Sequence, residues 1–143
     1  MTRSARIFKP NYPFGLWVLG LSLASLGRYQ EAVETLEQVV AVSRAPIYIG
    51  LLGMAYHLAG RTDDANRLSR ELEERRSRGE FVSALSFLTI IAGSGDVAAA
   101  RRAFAEAIAE DCPIFTMSLT SFFILKTMRH DPEIDRMMMQ LLG

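Results

Sequence analysis

Apolar residues recur at helical spacing along most of this chain. Leu16, Leu19 and Leu23 stand at i, i+3 and i+7, and Ile49, Leu52 and Tyr56 repeat that spacing. Ala32, Leu36 and Val39 form another stripe, as do Ala65, Leu68 and Leu72. Such stripes place apolar side chains on one face of an α-helix. No segment alternates apolar and polar residues with the period of two that a half-buried strand requires. The pattern predicts an all-α chain.

The stripes come in pairs, and the pairs repeat. Pro13 and Pro46, Gly20 and Gly53, Gly27 and Gly60, Arg28 and Arg61, and Ala32 and Ala65 all stand 33 residues apart. A fixed period of this size marks a stacked-repeat architecture, in which each unit buries its apolar face against its neighbours. A third copy is weaker. Gly95, Ala100 and Phe104 take the places of Gly27, Ala32 and Leu36, with two residues inserted near 76–79. Leu88 replaces the small residue of Gly20 and Gly53, so the first helix of the third pair is expected to pack differently. The Gly-Arg dipeptides read as turns, because glycine suits the left-handed position after a helix end. Asp63, Asp64 and Asp96 are expected in the first turns of the second helices, where the helix dipole favours them. The reading divides the chain into an arm at 1–12, repeats at about 13–45, 46–78 and 81–112, and a cap at 113–143. In that cap Asp131 can N-cap a helix and Pro132 suits its first position. Ile134, Met137, Met138 and Leu141 would supply its buried face.

The spacing of Leu16, Leu19, Gly20 and Leu23, followed by Gly27, Tyr29, Ala32 and Leu36, resembles the tetratricopeptide repeat (TPR) family, and the second copy resembles it equally. One departure is Trp17, which lies one residue after the family's usual aromatic position, filled here by Leu16. The resemblance implies a right-handed α-solenoid of about three helix pairs with a capping segment. It further implies a concave groove lined by the first helices. Carried onto this sequence, the family's groove positions give Phe14, Trp17, Leu21, Ile47, Met54, His57, Leu85 and Thr89 as a partner-binding site. The Lys, Arg and Asn side chains that clamp peptide carboxylates in some members are missing from these positions. The resemblance therefore implies a scaffold that binds an apolar segment of a protein or peptide partner, or a second copy of itself as a homodimer. Residues 114–125 folding back to fill the groove is the competing expectation. The order of residues from Arg78 to Met137 also resembles the capped end of bacterial TPR regulatory proteins. That likeness implies the alternative of a ligand-sensing or regulatory module, the detached tail of a larger regulator, with an enzyme accessory further behind.

Composition narrows the chemistry. Sixteen basic residues balance sixteen acidic ones, so no net positive field collects nucleic acid or anionic lipid. The longest apolar stretches, 16–26, 82–92 and 114–125, fall short of the roughly 20 residues that span a bilayer. With no signal-peptide pattern at the N-terminus, a cytoplasmic location and no membrane insertion are expected. Cys112 is the lone cysteine, so no disulfide closes within the chain. Neither His57 nor His130 is near Cys112 in sequence, and two histidines with one cysteine match no metal spacing. No catalytic residue, metal or cofactor is expected. Trp17 serves equally as a binding hot spot or a core residue, and His57 reads more simply as a surface imidazole than as a pH-sensitive contact. Glu71, Glu73 and Glu74, interleaved with Arg70, Arg75, Arg76 and Arg78, read as a solvated helix face. The run Met137-Met138-Met139 suits either an adaptable contact surface or core filling.

Overall fold

The computed structural model describes residues 13–109, 131–133 and 136. The expectations for the arm at 1–12, for Cys112, for residues 114–125, for His130 and for the Met137-Met138-Met139 run lie outside the described residues. Six helices follow one another: α1 (Pro13–Ser25), α2 (Tyr29–Val42), α3 (Pro46–Leu58), α4 (Thr62–Ser77), α5 (Ala84–Ser94) and α6 (Val97–Ala109). Among the described residues there is no strand. The described residues form an all-α array of three helix pairs.

The turns inside the first two pairs follow from glycine. Gly27 and Gly60 sit at φ of 81° and 80°, a conformation an L side chain rarely adopts. There the chain reverses while Arg28 N–H donates to Leu23 O at 2.9 Å and Arg61 N–H to Tyr56 O at 2.7 Å. Both helix ends thus satisfy carbonyls that would otherwise be orphaned. The arginine after each glycine reaches the carboxylate three residues on: Arg28 Nε donates to Glu31 at 2.9 Å and Arg61 Nε to Asp64 at 2.9 Å. The third pair keeps the glycine, Gly95 at φ of 77°, and changes the residue after it. Asp96 replaces arginine and lies at the helix boundary rather than in its first turn, where its Oδ1 accepts the Ala99 N–H at 3.1 Å.

Charge separates between the two members of each pair. Helices α1, α3 and α5 contain no Asp, Glu, Lys or Arg, whereas α2, α4 and α6 are amphipathic. A helix apolar all round belongs between other helices. Accordingly α3 is the most enclosed, with Ile49, Leu51, Leu52, Met54, Ala55 and Tyr56 all buried. One core joins the first two pairs through Ala32, Val33, Leu36, Val39, Ile49, Leu52 and Leu72. A second, of Ala84, Leu85, Leu88, Ala100, Ala103 and Phe104, closes the third pair. Each fully buried Leu, Ile or Phe contributes about 1.5–3 kcal/mol, so these few residues dominate the stability of the array.

The third pair docks in its own way. Gly20 fits against Leu36 of its partner helix, where a Cβ would lie 2.5 Å from Leu36 Cδ2. Gly53, at the same repeat position, faces Ile90 of α5 instead. Gly50 lies against the backbone of Ser86, and Gly93 against the backbone of Met54. Three glycines therefore let α3 and α5 cross in direct contact. The six-residue connection from Arg78 to Ser83 gives α5 the freedom to reach this position, and α5 begins at Ala84, three residues beyond the expected repeat start.

The arginine-rich end of α4 holds the connections in place. Arg75 Nη1 donates to Arg44 O at 2.8 Å, and its Nε to Glu80 at 2.6 Å. Arg76 Nη2 donates to Val82 O at 2.9 Å, and its guanidinium lies 4.5 Å above the Phe87 ring. Glu71 of α4 accepts from Arg44, which lies in the α2–α3 turn. This segment is thus a brace rather than a face turned wholly to solvent. Beyond α6, Arg101 Nε donates to Asp131 at 3.0 Å, and the Asp131 carboxylate is buried there. Asp131 stands just before the helical residues 132–133, in agreement with its expected place at a helix start.

Candidate functional site

Helix α1 carries the most accessible part of the expected groove. Its length of 13 residues holds Phe14, Trp17 and Leu21, which lie within a third of a turn of one another on the helix wheel. The Phe14 and Trp17 rings stack with centroids 5.8 Å apart and planes 23° apart. Phe14 is 55% exposed, whereas Trp17 and Leu21 are half-buried against the first core. Trp17 Nε1 is buried and has no hydrogen-bond partner among the described residues.

The other expected groove residues divide between two environments. Ile47 is half-buried against the second core, and His57 is half-buried at the end of α3. Met54, Leu85 and Thr89 are buried, at 0%, 3% and 8% exposure. Direct contact between α3 and α5 closes that stretch, and Thr89 turns its hydroxyl back to Leu85 O at 2.8 Å. Phe14 and Trp17 are thus brought together, while Met54, Leu85 and Thr89 belong to the packing beneath. Their apolar character alone could not separate lining from core, because both demand the same side chains.

Two titratable groups on α3 are perturbed. Burial lowers the pKa of His57 from its ordinary value of 6.5. Burial, reinforced by a hydrogen bond to Glu37, raises that of Tyr56 from 10.0 to about 12. The Tyr56 hydroxyl donates to Glu37 Oε2 at 2.9 Å, and the Arg61 guanidinium lies 4.6 Å above its ring. The Tyr56–Glu37 hydrogen bond ties the first two pairs together.

Sequence reasoning missed one hollow. A depression of about 380 Å³ is lined by Arg76, Glu80, Phe81, Val82, Glu106 and Ala109, with Phe81 79% exposed at its rim. Its cation is already committed to Val82 O, to the Phe87 ring and, at 3.8 Å, to Glu106. No periodic signal marks this spot, because it arises from the irregular connection before α5. Among the described residues no group of three His, Cys, Asp or Glu side chains is placed to hold a metal ion, and no helix is long and apolar enough to cross a membrane.

Comparison with known proteins agrees with this architecture. The tetratricopeptide repeat family model matches residues 13–38 and 50–71, which span most of the first two pairs. A curated relative, described as a TPR repeat-containing protein of Methanocaldococcus jannaschii, is 32% identical over 79 residues. That match covers 53% of this chain and 25% of the relative, so the chain spans about a quarter of the relative's length. The relative is archaeal. No solved structure matches the chain significantly. Repeats of this family generally mediate protein–protein interaction and typically serve as non-enzymatic scaffolds. With small residues in register and paired helices, the two matched segments, residues 13–38 and 50–71, are tetratricopeptide repeats by the family's pattern.

Proposed function

We propose that this chain is an interaction module that holds an apolar segment of a protein partner against the first-helix side of the array, centred on Phe14, Trp17 and Leu21. The observation that carries the reading is the Phe14–Trp17 stack, an aromatic pair with one ring more than half exposed on a helix without charge. Exposed aromatic anchors over a packed base are the usual energetic centre of a protein interface. The family's groove register would carry the surface on to Ile47 and His57 of α3, both half-buried. An apolar segment suits it because these positions offer no charged side chain to a polar ligand.

The test is co-purification from the native host with a Phe14→Ala, Trp17→Ala variant alongside the unaltered chain. Loss of a bound protein from the variant, at unchanged far-UV circular dichroism, is expected. A partner retained by the variant, but lost when Glu73 on the exposed side of α4 is replaced, would place the binding surface elsewhere.

A further inference from the structure

Two connections flank the second helix pair. Residues 43–45 join α2 to α3, and residues 78–83 join α4 to α5. Arg75, in the last turn of α4, touches both. Its Nη1 donates to the Arg44 carbonyl of the first connection at 2.8 Å, and its Nε to the Glu80 carboxylate of the second at 2.6 Å. Glu71, one turn back on α4, lies 3.5 Å from Arg75 Nη1 and also accepts from the Arg44 side chain. The Arg75 side chain is 18% exposed, against 52% for Arg44 and 51% for Glu80, so the hub is covered while its partners stand in solvent. One planar group thus meets three acceptors, two of them on different connections.

The repeat pattern does not require this tie. Gln38 and Val42 stand in the first pair where Glu71 and Arg75 stand in the second, and Val42 is exposed. The tie coincides instead with the irregular connection before α5, which carries the residues added to the repeat. Arg76, beside it, holds Val82 O and lies over the Phe87 ring, both toward α5. Arg75 reaches in both directions.

We infer that Arg75 makes the two connections one conformational unit, so that loosening either frees the other and a shift of the first helix pair is passed to the third. The reason lies in the guanidinium. Ordering an arginine side chain costs rotamer entropy once, and its three contacts share that cost. When one acceptor moves away, the others must hold the whole side chain, and the plane that aimed their bonds is no longer fixed. Contacts that share a group in this way are not additive. A lysine would keep the charge and the stem, but its compact ammonium cannot present Nε and Nη1 donors in a fixed fork. Arg75 is therefore a positioning residue that works through backbone and carboxylate partners.

Amide hydrogen exchange followed by nuclear magnetic resonance tests this on the chain alone. Tyr48 N–H and Ile49 N–H, both bonded to Ala45 O, report on the first connection. Gly79 N–H and Glu80 N–H, bonded to Arg76 O and Arg75 O, report on the second. Arg44→Ala loosens the first connection and leaves the Arg75–Glu80 pair chemically intact. Glu80→Gln loosens the second and leaves the Arg44 carbonyl untouched. Each variant is expected to speed exchange severalfold at its own reporters and, to a smaller extent, at those of the other connection. Arg75→Lys should speed both sets, and in its background the cross-effects should vanish. The Val33 and Leu36 amides of the first core should stay unchanged, which separates local loosening from a general loss of stability. If Arg75→Lys does not fold, the two exposed variants carry the test by themselves. Faster exchange confined to the altered connection, or cross-effects that persist without Arg75, would overturn the inference. No partner enters this experiment, so its failure leaves the partner-binding reading to its own test.

Discussion

Replacing Gly50 with alanine probes the contact on which the third helix pair depends. In an isolated helix the change is favourable by about 1 kcal/mol, because glycine has the greater backbone entropy to lose. Here the added Cβ would stand 2.7 Å from Ser86 O, 3.2 Å from Ser86 Cα and 3.3 Å from Ser86 C. Ordinary contact begins near 3.4 Å. All three neighbours are backbone atoms, so no rotamer change relieves the overlap, and α3 and α5 must separate by several tenths of an ångström. Overpacking of this kind typically costs about 1–3 kcal/mol. The two effects oppose each other, and the steric one is the larger, leaving a net loss of up to about 2 kcal/mol. For a domain of this size that corresponds to a fall in Tm of up to roughly 8 °C. Urea denaturation followed by circular dichroism measures it directly. A gain in stability approaching the helix-propensity value would mean that α5 does not lie on Gly50, and the account of the third pair would fail.

Tyr56→Phe removes the hydrogen bond to Glu37 and is expected to cost about 0.5–1.5 kcal/mol in urea melts. The Tyr56 pKa is raised from 10.0 to about 12, so the stabilisation is complete below pH 10 and is lost as pH rises toward 12. Ultraviolet titration of the folded chain should show one phenol ionising late, and the Phe variant should lack it. His57 has the opposite sign: its folded pKa is lowered, so its contribution is present above 6.5 and disappears as pH falls through the folded value. His57→Gln is expected to flatten the acid limb of the stability profile, and an unchanged limb would contradict the assigned burial. Asp96→Ala removes the N-cap of α6 and is expected to cost about 1 kcal/mol, read as earlier amide exchange in the first turn of α6.

The first two helix pairs were legible because their punctuation repeats. Gly27 and Gly60 must adopt a conformation that glycine alone accepts easily, so the period of 33 in the sequence is the period of the turns. Gly20 was legible for a related reason, since a small residue marks where two backbones approach. Gly53 shows the limit of that logic. It holds the same repeat position, yet it faces α5 rather than α4, because the longer connection after Ser77 lets the third pair slide onto α3. The same shift buried Met54, Leu85 and Thr89, which a regular array would have turned toward the groove. Arg75 and Arg76 read as solvated because their partners, Arg44 O and Val82 O, are backbone atoms that carry no sequence signal. The Phe14–Trp17 stack could be anticipated as a pair of neighbouring groove positions, but not the burial of the indole N–H beneath it.

Hydrogen–deuterium exchange of the chain with and without a partner captured from its native host tests the central claim most directly. The account predicts slower exchange across α1, strongest around Phe14, Trp17 and Leu21, with α4 and α6 unchanged. Protection confined to α4 or α6, or no protection on α1 at saturating partner, would contradict it.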